Sequence, residues 1–457
     1  MAKLISINPS NNQVLGEVEI STEEEIKNKV QKANQARKAW KELGLEERVK
    51  ALRKVVEKFT EKKEELAKLS SQEMGMPISQ SRMDVEDGIS FFNWYLDNAS
   101  KYLSPEVIHA DEKVTQTVSY EPIGTAAVIT PWNFPFTNFI WGAGQNLIVG
   151  NTVVYKTSEE CPLFGKLLEE IINSAGLPEG VFSQVYGDGT VGDLLVHQDI
   201  NLISFTGSTK AGKHLYEVGG EKFIKVVCEL GGSAPGIIFA DADLDKVIDT
   251  IYGNRFTNCG QMCDALKRLI VEKSVFEDVV ERLKKKLESL NVGNAEDETT
   301  DMGPLVANRQ LELLEEQVKD AVDKGAKVVI GGKRPEGLIG VFYEPTILTN
   351  ITKDMRVWQD EVFGPVLPII SFESDEEAIK LANDTKYGLG SYIYTEDKEK
   401  ALEVASNIET GMVSINTASY INACSPFGGI KDSGIGREHG KYGFHELSQL
   451  KVVAQEK

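Results

Sequence analysis

A two-domain α/β fold with mostly parallel sheets is predicted from three features of the sequence. Short apolar runs at 126–130, 152–155, 182–185, 202–205 and 225–228 each end in turn residues and lead into a helical stretch. Runs of this kind suit parallel strands buried on both faces, with helices crossing over between them. A second strand–helix series follows from about 268 to 415, with helix candidates at 275–290 and 305–323. The chain has 457 residues, beyond the roughly 250–300 at which single cores stop growing.

The first hundred residues read mostly as helices. Thr22 and Glu25 have capping-box spacing ahead of Ile26, Val30, Ala33 and Trp40, which recur at helical intervals. Val49, Leu52, Val55 and Phe59 repeat the pattern, and 84–102 is a third amphipathic candidate. The segments 113–120 and 450–454 read as strands outside both series. Strands without a local partner are expected to pair with another subunit.

Hydrophobic residues make up 41% of the chain and charged residues 26%, a globular balance. A net charge of −20 lacks the basic footprint of a nucleic-acid binder. No run reaches the ~20 apolar residues that span a bilayer, so no membrane partner is expected. Cys161, Cys228, Cys259, Cys263 and Cys424 contain no CxxC pair or zinc framework, and no metal is expected. Sparse, unpaired cysteines suit a reducing compartment. The segment MAKLISINPSNN has no signal-like apolar core. A cytoplasmic location is the expectation.

Ligands of open parallel sheets gather at the carboxyl ends of the strands, and three segments at strand ends carry chemistry. In FTNCGQMCDALKR, Cys263 precedes a predicted strand. It is either a nucleophile with a stabilised thiolate or a small buried hydrophobe. In CELGGSAP, Glu229 closes a predicted strand before Gly231 and Gly232. It is a general base if burial raises its pKa, or a solvated turn residue. In TPWNFPF, Asn133 sits in a strand-to-helix turn. Its amide either donates to a developing oxyanion or caps the helix ahead of Pro135.

With FTGS at 205–208, EVFGP at 361–365 and PFGGIKDSGIGRE at 426–438, the chain resembles the aldehyde dehydrogenase superfamily from about residue 7 to 453. Details near Cys263 and in 84–102 look closest to its succinate-semialdehyde branch. The resemblance implies a Rossmann-like nucleotide-binding domain at 1–103 and 123–231. It implies an α/β catalytic domain at 232–431 and a β oligomerisation arm at 104–122 and 432–457, in a homodimer or homotetramer. It implies that Cys263 attacks the aldehyde, that Asn133 and the Cys263 N–H hold the alkoxide, and that Glu229 activates water against the thioester.

The cofactor expectations have two sources. The run at 202–205 leads into Gly207, Ser208 and a helix from about Thr209, whose N–H groups and dipole suit a pyrophosphate. The Rossmann fingerprint GxGxxG is absent, as it is from the family. By the resemblance, Lys156 contacts the adenosine ribose, and Glu159 tunes cofactor choice. Its carboxylate accepts ribose hydroxyls and repels a 2′-phosphate, so NAD is expected over NADP. Glu361 resembles the nicotinamide-ribose ligand and Phe363 its packing neighbour; Thr130, Trp132 and Leu230 are expected beside them.

Many members of the succinate-semialdehyde branch carry an arginine eight residues after the asparagine, where this chain has Trp141. An indole offers one donor and no charge. Succinate semialdehyde and less polar medium-chain or aromatic aldehydes are therefore both candidates. Phe134, Trp141 and the loop 420–425 are expected to line the substrate pocket, with Cys424 nearby. Cys259, four residues before Cys263, is either a partner in a reversible disulfide or a passive pocket residue. Competing expectations are a CoA-acylating dehydrogenase, a Cys–His hydrolase and a non-catalytic binding protein. His109, His197, His214, His439 and His445 lie in none of the three catalytic segments.

Overall fold

The computed structural model describes residues 2–457. Five of the apolar runs become the strands Thr125–Ile129, Thr152–Lys156, Phe182–Val185, Leu202–Thr206 and Lys225–Glu229, within about one residue of expectation. They form a parallel sheet, and the strand Gly434–Ile435 adds antiparallel to its edge beside Lys225–Glu229. In space the chain runs outward from Thr125–Ile129 through the strands at 152 and 182. It then returns to the other flank at Leu202–Thr206. This reversal opens a crevice at the carboxyl ends of those two neighbouring strands.

The second sheet has seven strands. Leu266–Glu272 is its middle, between Val366–Phe372 and Ala234–Ile238. All its pairings are parallel except that of Lys327–Ile330 with Thr346–Thr349. The expected helices appear as Phe276–Glu288 and Asn308–Asp323.

The N-terminal region begins with a hairpin, Lys3–Ile7 against Val14–Glu19, which the helical reading omits. Thr22 then caps the helix Glu23–Glu42 by accepting from the Glu25 N–H. That helix buries Ile26, Val30, Ala33 and Trp40. The helix Ile78–Leu103 lies over Pro135–Phe139, and Gly88 makes the close approach possible. A Cβ there would stand 2.5 Å from the Phe136 ring. Phe59 is fully buried edge-on to Phe136 and Phe139, with centroids 5.0 and 6.1 Å away.

The two expected outlying strands, Val114–Pro122 and Ser448–Glu456, pair with each other along nine residues. Glu106–Ala110 adds to the other side of Val114–Pro122. Each is thus the other's partner within the chain. Within 432–457, Gly434–Ile435 extends the first sheet and the helix Gly440–Glu446 packs on Ile78–Leu103, ahead of the strand Ser448–Glu456. Among the described residues no helix is long and apolar enough to cross a membrane.

Phe59→Ala removes the ring that joins the helical layer to the helix below the crevice. A loss of about 3–5 kcal/mol is expected from chemical denaturation, as for other buried phenylalanines.

Candidate active site

Helix Pro135–Phe139 starts with no cap of its own from Phe134. Asp84 supplies one from Ile78–Leu103, its two carboxylate oxygens accepting the N–H groups of Phe136 and Thr137 at 3.2 and 3.1 Å. Burial pushes the Asp84 carboxyl up to about 6. Asn133 is thereby released from capping. Its side-chain Nδ2 donates to the Gln261 carbonyl at 2.9 Å, and its Oδ1 accepts from Asn138 at 3.1 Å. Past this helix the backbone widens into a π turn over Ile140–Gly144, which carries Trp141.

Asn258, Cys259 and Gly260 are consecutive left-handed residues, with φ of 51°, 54° and 71°. A Cβ on Gly260 would meet the Gly364 carbonyl at 2.5 Å, so glycine is required there. Asn258 donates to the Asn133 carbonyl at 2.6 Å. The same turn directs Cys259 into the catalytic-domain core. Cys259 is 1% exposed and absent from the walls of both cavities at the site, correcting its place among the pocket residues. Burial also raises its thiol. Cys424 is exposed, its Sγ 3.2 Å from Asn422 Oδ1, and lines neither cavity. Both cysteines are free.

Cys263 and Asn133 stand in the walls of two adjoining cavities. One, of about 260 Å³, also contains Glu229, Gly207, Ser208, Leu230, Trp132, Glu361 and Phe363. Ser208 caps the helix Thr209–Lys222 by accepting from the Ala211 N–H. The Trp132 and Phe363 rings meet edge-on at 5.6 Å. At Gly231 a Cβ would meet Glu361 Oε2 at 2.2 Å, so the wall beside that carboxylate is bare backbone. A helix start, a glycine cradle and an apolar clamp together fit a dinucleotide.

Thr130, Lys156 and Glu159 lie outside this wall. The Thr130 hydroxyl is 2.5 Å from the Tyr155 hydroxyl. Lys156 is buried, with Nζ donating to the Thr157 carbonyl at 3.1 Å and standing 3.8 Å from Glu159.

The second cavity, of about 230 Å³, is walled by Phe91, Phe134, Trp141 and Phe427, with Asp87 and Asp264 in its lining. It contains no lysine or arginine. Ile421 represents the 420–425 loop there. Trp141 packs edge-on to His439 at 4.3 Å. His439 is itself buried beside Tyr95, ring Nδ1 to hydroxyl 2.5 Å, and burial pushes its pKa down to about 3. No histidine lines either cavity.

Glu229 is fully enclosed, and neither carboxylate oxygen has a hydrogen-bond partner. Burial first, then the nearby Glu438 carboxylate, raises its pKa well above normal, against the pull of Arg437. The Cys263 thiol is likewise raised, by burial and by Asp264, while Lys267 lowers it. Lys267, Glu438, Asp264 and Asn258 are the residues that sequence reasoning passed over. Lys267 and Arg268 did leave a sign: two adjacent charges that directly precede the apolar Leu269–Val271 within one strand.

The chain matches the model of the aldehyde dehydrogenase family over residues 2–453. The chain belongs to the aldehyde dehydrogenase family. It is 38% identical to the glutarate-semialdehyde dehydrogenase of Pseudomonas aeruginosa over 448 residues, covering 98% of this chain and 92% of that one. It is also 38% identical to the betaine aldehyde dehydrogenase of Bacillus subtilis, covering 98% and 93%. The NADP-linked succinate-semialdehyde dehydrogenase of Escherichia coli is 36% identical, with 98% and 93% covered. Among solved structures, the betaine aldehyde dehydrogenase of Staphylococcus aureus in complex with NAD+ superposes with a TM-score of 0.95. It is 34% identical, covering 99% of this chain and 91% of that one. This aldehyde dehydrogenase is therefore a nicotinamide-dependent oxidoreductase with the family's fold.

Burial holds the Glu438 carboxyl up at about 8, against about 4.3 in an unfolded chain. The folded state thus keeps a proton that the unfolded state sheds in this interval. Stability from this group is complete below about pH 4 and is lost as pH rises through 8. Denaturation at pH 5 and pH 8 is expected to show a fall for the wild type and a smaller one for Glu438→Gln.

Proposed function

We propose that this enzyme oxidises an aldehyde to a carboxylic acid with NAD through a thioester on Cys263, and that the aldehyde's distal end is uncharged or cationic. The observation that supports the chemistry is that Cys263 and Asn133 belong to both cavities. A reacting carbon at Cys263 can then face the cofactor on one side and carry its substituent on the other. The Cys263 sulfur adds to the carbonyl, and the alkoxide is held by the Asn133 amide and the Cys263 N–H. When bound, a nicotinamide supplies the hydride acceptor. Glu229, with both oxygens free of partners, takes a proton from the water that cleaves the thioester. A raised pKa suits this base, because a proton acceptor works best near the operating pH.

A base in this position favours water over CoA as the acyl acceptor, so added CoA is expected to leave the rate unchanged. NAD preference rests on Glu159 beside Lys156, where a carboxylate would repel a 2′-phosphate. The exposed Leu450 and Val452, two residues apart and so on one face of the three-stranded sheet, support assembly as a dimer or tetramer, since exposed apolar side chains on one surface mark contact sites.

The distal-group reading rests on the second cavity's aromatic walls and its carboxyl groups, Asp84, Asp87 and Asp264, with no cation to meet a carboxylate. Aromatic faces and acidic side chains attract ammonium groups and tolerate neutral ones. Relatives named for semialdehydes and relatives named for betaine aldehyde or aminoaldehydes are about equally similar to this chain. The charge of the lining favours the second group's chemistry.

Reduced-nicotinamide absorbance should therefore rise faster with benzaldehyde, hexanal, betaine aldehyde or 4-aminobutanal than with succinate semialdehyde. A clear preference for succinate semialdehyde would remove the distal-group reading. Cys263→Ala should abolish turnover while retaining NAD binding. Glu229→Gln should keep a single burst of reduced cofactor and lose roughly a hundredfold or more in steady-state rate, the usual scale for a lost general base. Glu159→Ser should raise the NADP-to-NAD ratio of kcat/KM; an unchanged ratio would remove the basis for NAD preference.

A further inference from the structure

Lys267 is the second residue of the strand Leu266–Glu272, and its side chain is 1% exposed. Its Nζ donates to three acceptors: the Cys263 carbonyl at 2.8 Å, the Gly232 carbonyl at 2.8 Å, and the Glu361 carboxylate. An ammonium has three N–H donors, so the set is filled. A neutral amine would leave one of these buried acceptors without a donor. The ammonium also stands 5.1 Å from the centre of the Phe363 ring.

The three acceptors belong to three different parts of the site. The Cys263 carbonyl is on the nucleophile's loop. Gly232 lies in the turn that follows Glu229, and its own N–H donates to Glu361 Oε1 at 3.1 Å. Glu361 stands in the wall of the cavity that fits the cofactor. Lys267 is thus the single side chain bonded to all three.

We propose that Lys267 is a positioning residue that joins the nucleophile's loop to the Glu361 carboxylate, so that the Lys267–Glu361 pair sets the charge felt by Cys263. The proposal deepens the reading above and rests on Cys263 being the nucleophile. The charged and titratable groups around the pair are few. Cys263 faces Lys267, Glu361, Asp264 and Glu229, with Tyr392 and Tyr420 behind it. Lys267 faces Glu361, Cys263, Asp264 and the buried Arg255, and Glu361 also faces Arg255 and Tyr387. Lys267 favours the thiolate and Glu361 opposes it. Removing one member of the pair should therefore move Cys263 one way, and removing the other should move it the opposite way.

The test is alkylation of Cys263 by iodoacetamide as a function of pH, with the site read by peptide mass mapping to separate it from the exposed Cys424. It is run on the full-length wild type, Lys267→Gln, Lys267→Met and Glu361→Gln. The glutamine at 267 keeps an amide donor for the two carbonyls, so one variant survives if loss of every hydrogen bond prevents folding. The midpoint should rise by about one unit in the Lys267 variants and fall in Glu361→Gln, the scale expected for one buried charge a few ångströms away. At neutral pH the Lys267 variants should react about tenfold more slowly.

A merely structural lysine would lower the melting temperature and leave the midpoint in place. An unmoved midpoint in folded Lys267→Gln, or shifts of the same sign in the Lys267 and Glu361 variants, overturns the proposal. The readout needs no aldehyde turnover. Opposite shifts without oxidation of any aldehyde would sink the proposed function and leave the role of Lys267 standing. Active wild type with unmoved midpoints would do the reverse.

Discussion

Two hydrogen bonds between the domains tie Asn133 to the loop that leads to Cys263. Asn258 of the catalytic domain donates to the Asn133 carbonyl, and the Asn133 amide donates to the Gln261 carbonyl. Asn133 comes from the carboxyl end of a strand in one sheet, and Cys263 from the amino side of a strand in the other. Neither sheet by itself defines the distance between them. The reciprocal amide contacts do, and the left-handed turn at 258–260 makes them possible by turning the chain sharply before Cys263. Each member is nearly fully buried, where an unmade hydrogen bond costs about 1–3 kcal/mol. The register of the two domains is therefore held tightly at this one place.

Around that junction the molecule buries charge in two different ways. Arg255 and Arg268 are fully enclosed, and their guanidinium groups are spent on backbone carbonyls. Arg255 reaches Val362, Gly364 and Val366, while Arg268 reaches Ser233, Leu381 and Ala382. These groups splice loops to strands. Glu229 is just as enclosed, yet its oxygens are left without donors. An unsatisfied buried carboxyl is costly, and it stands beside the cavity that holds Cys263. The contrast sets Glu229 apart from the two arginines: their donors are filled by backbone carbonyls, while its oxygens are open.

Trp141 sets much of the character of the second cavity. Trp141 occupies a π turn and packs on His439, Phe91 and Phe427. The indole covers apolar surface and brings no positive charge to the wall. Asp84, Asp87 and Asp264 are in the same lining, with no lysine or arginine beside them.

By itself the sequence determined the periodic elements. The parallel strands, the capped helix after Thr22 and the long helix through Asp84 follow from side-chain pattern and local hydrogen bonding, which act within a few residues. Motifs at strand ends made Cys263, Glu229 and Asn133 candidates, and the resemblance to the aldehyde dehydrogenase superfamily supplied their expected roles. Only the tertiary structure decided that Cys259 turns into the core, because that depends on three successive left-handed residues closing against Gly364. Only it decided that strands 114–122 and 448–456 are each other's partners, more than three hundred residues apart. Lys267 escaped notice because its meaning lies in three acceptors drawn from three separate segments. Pattern reports which face a residue shows; long-range packing alone reports what waits on that face.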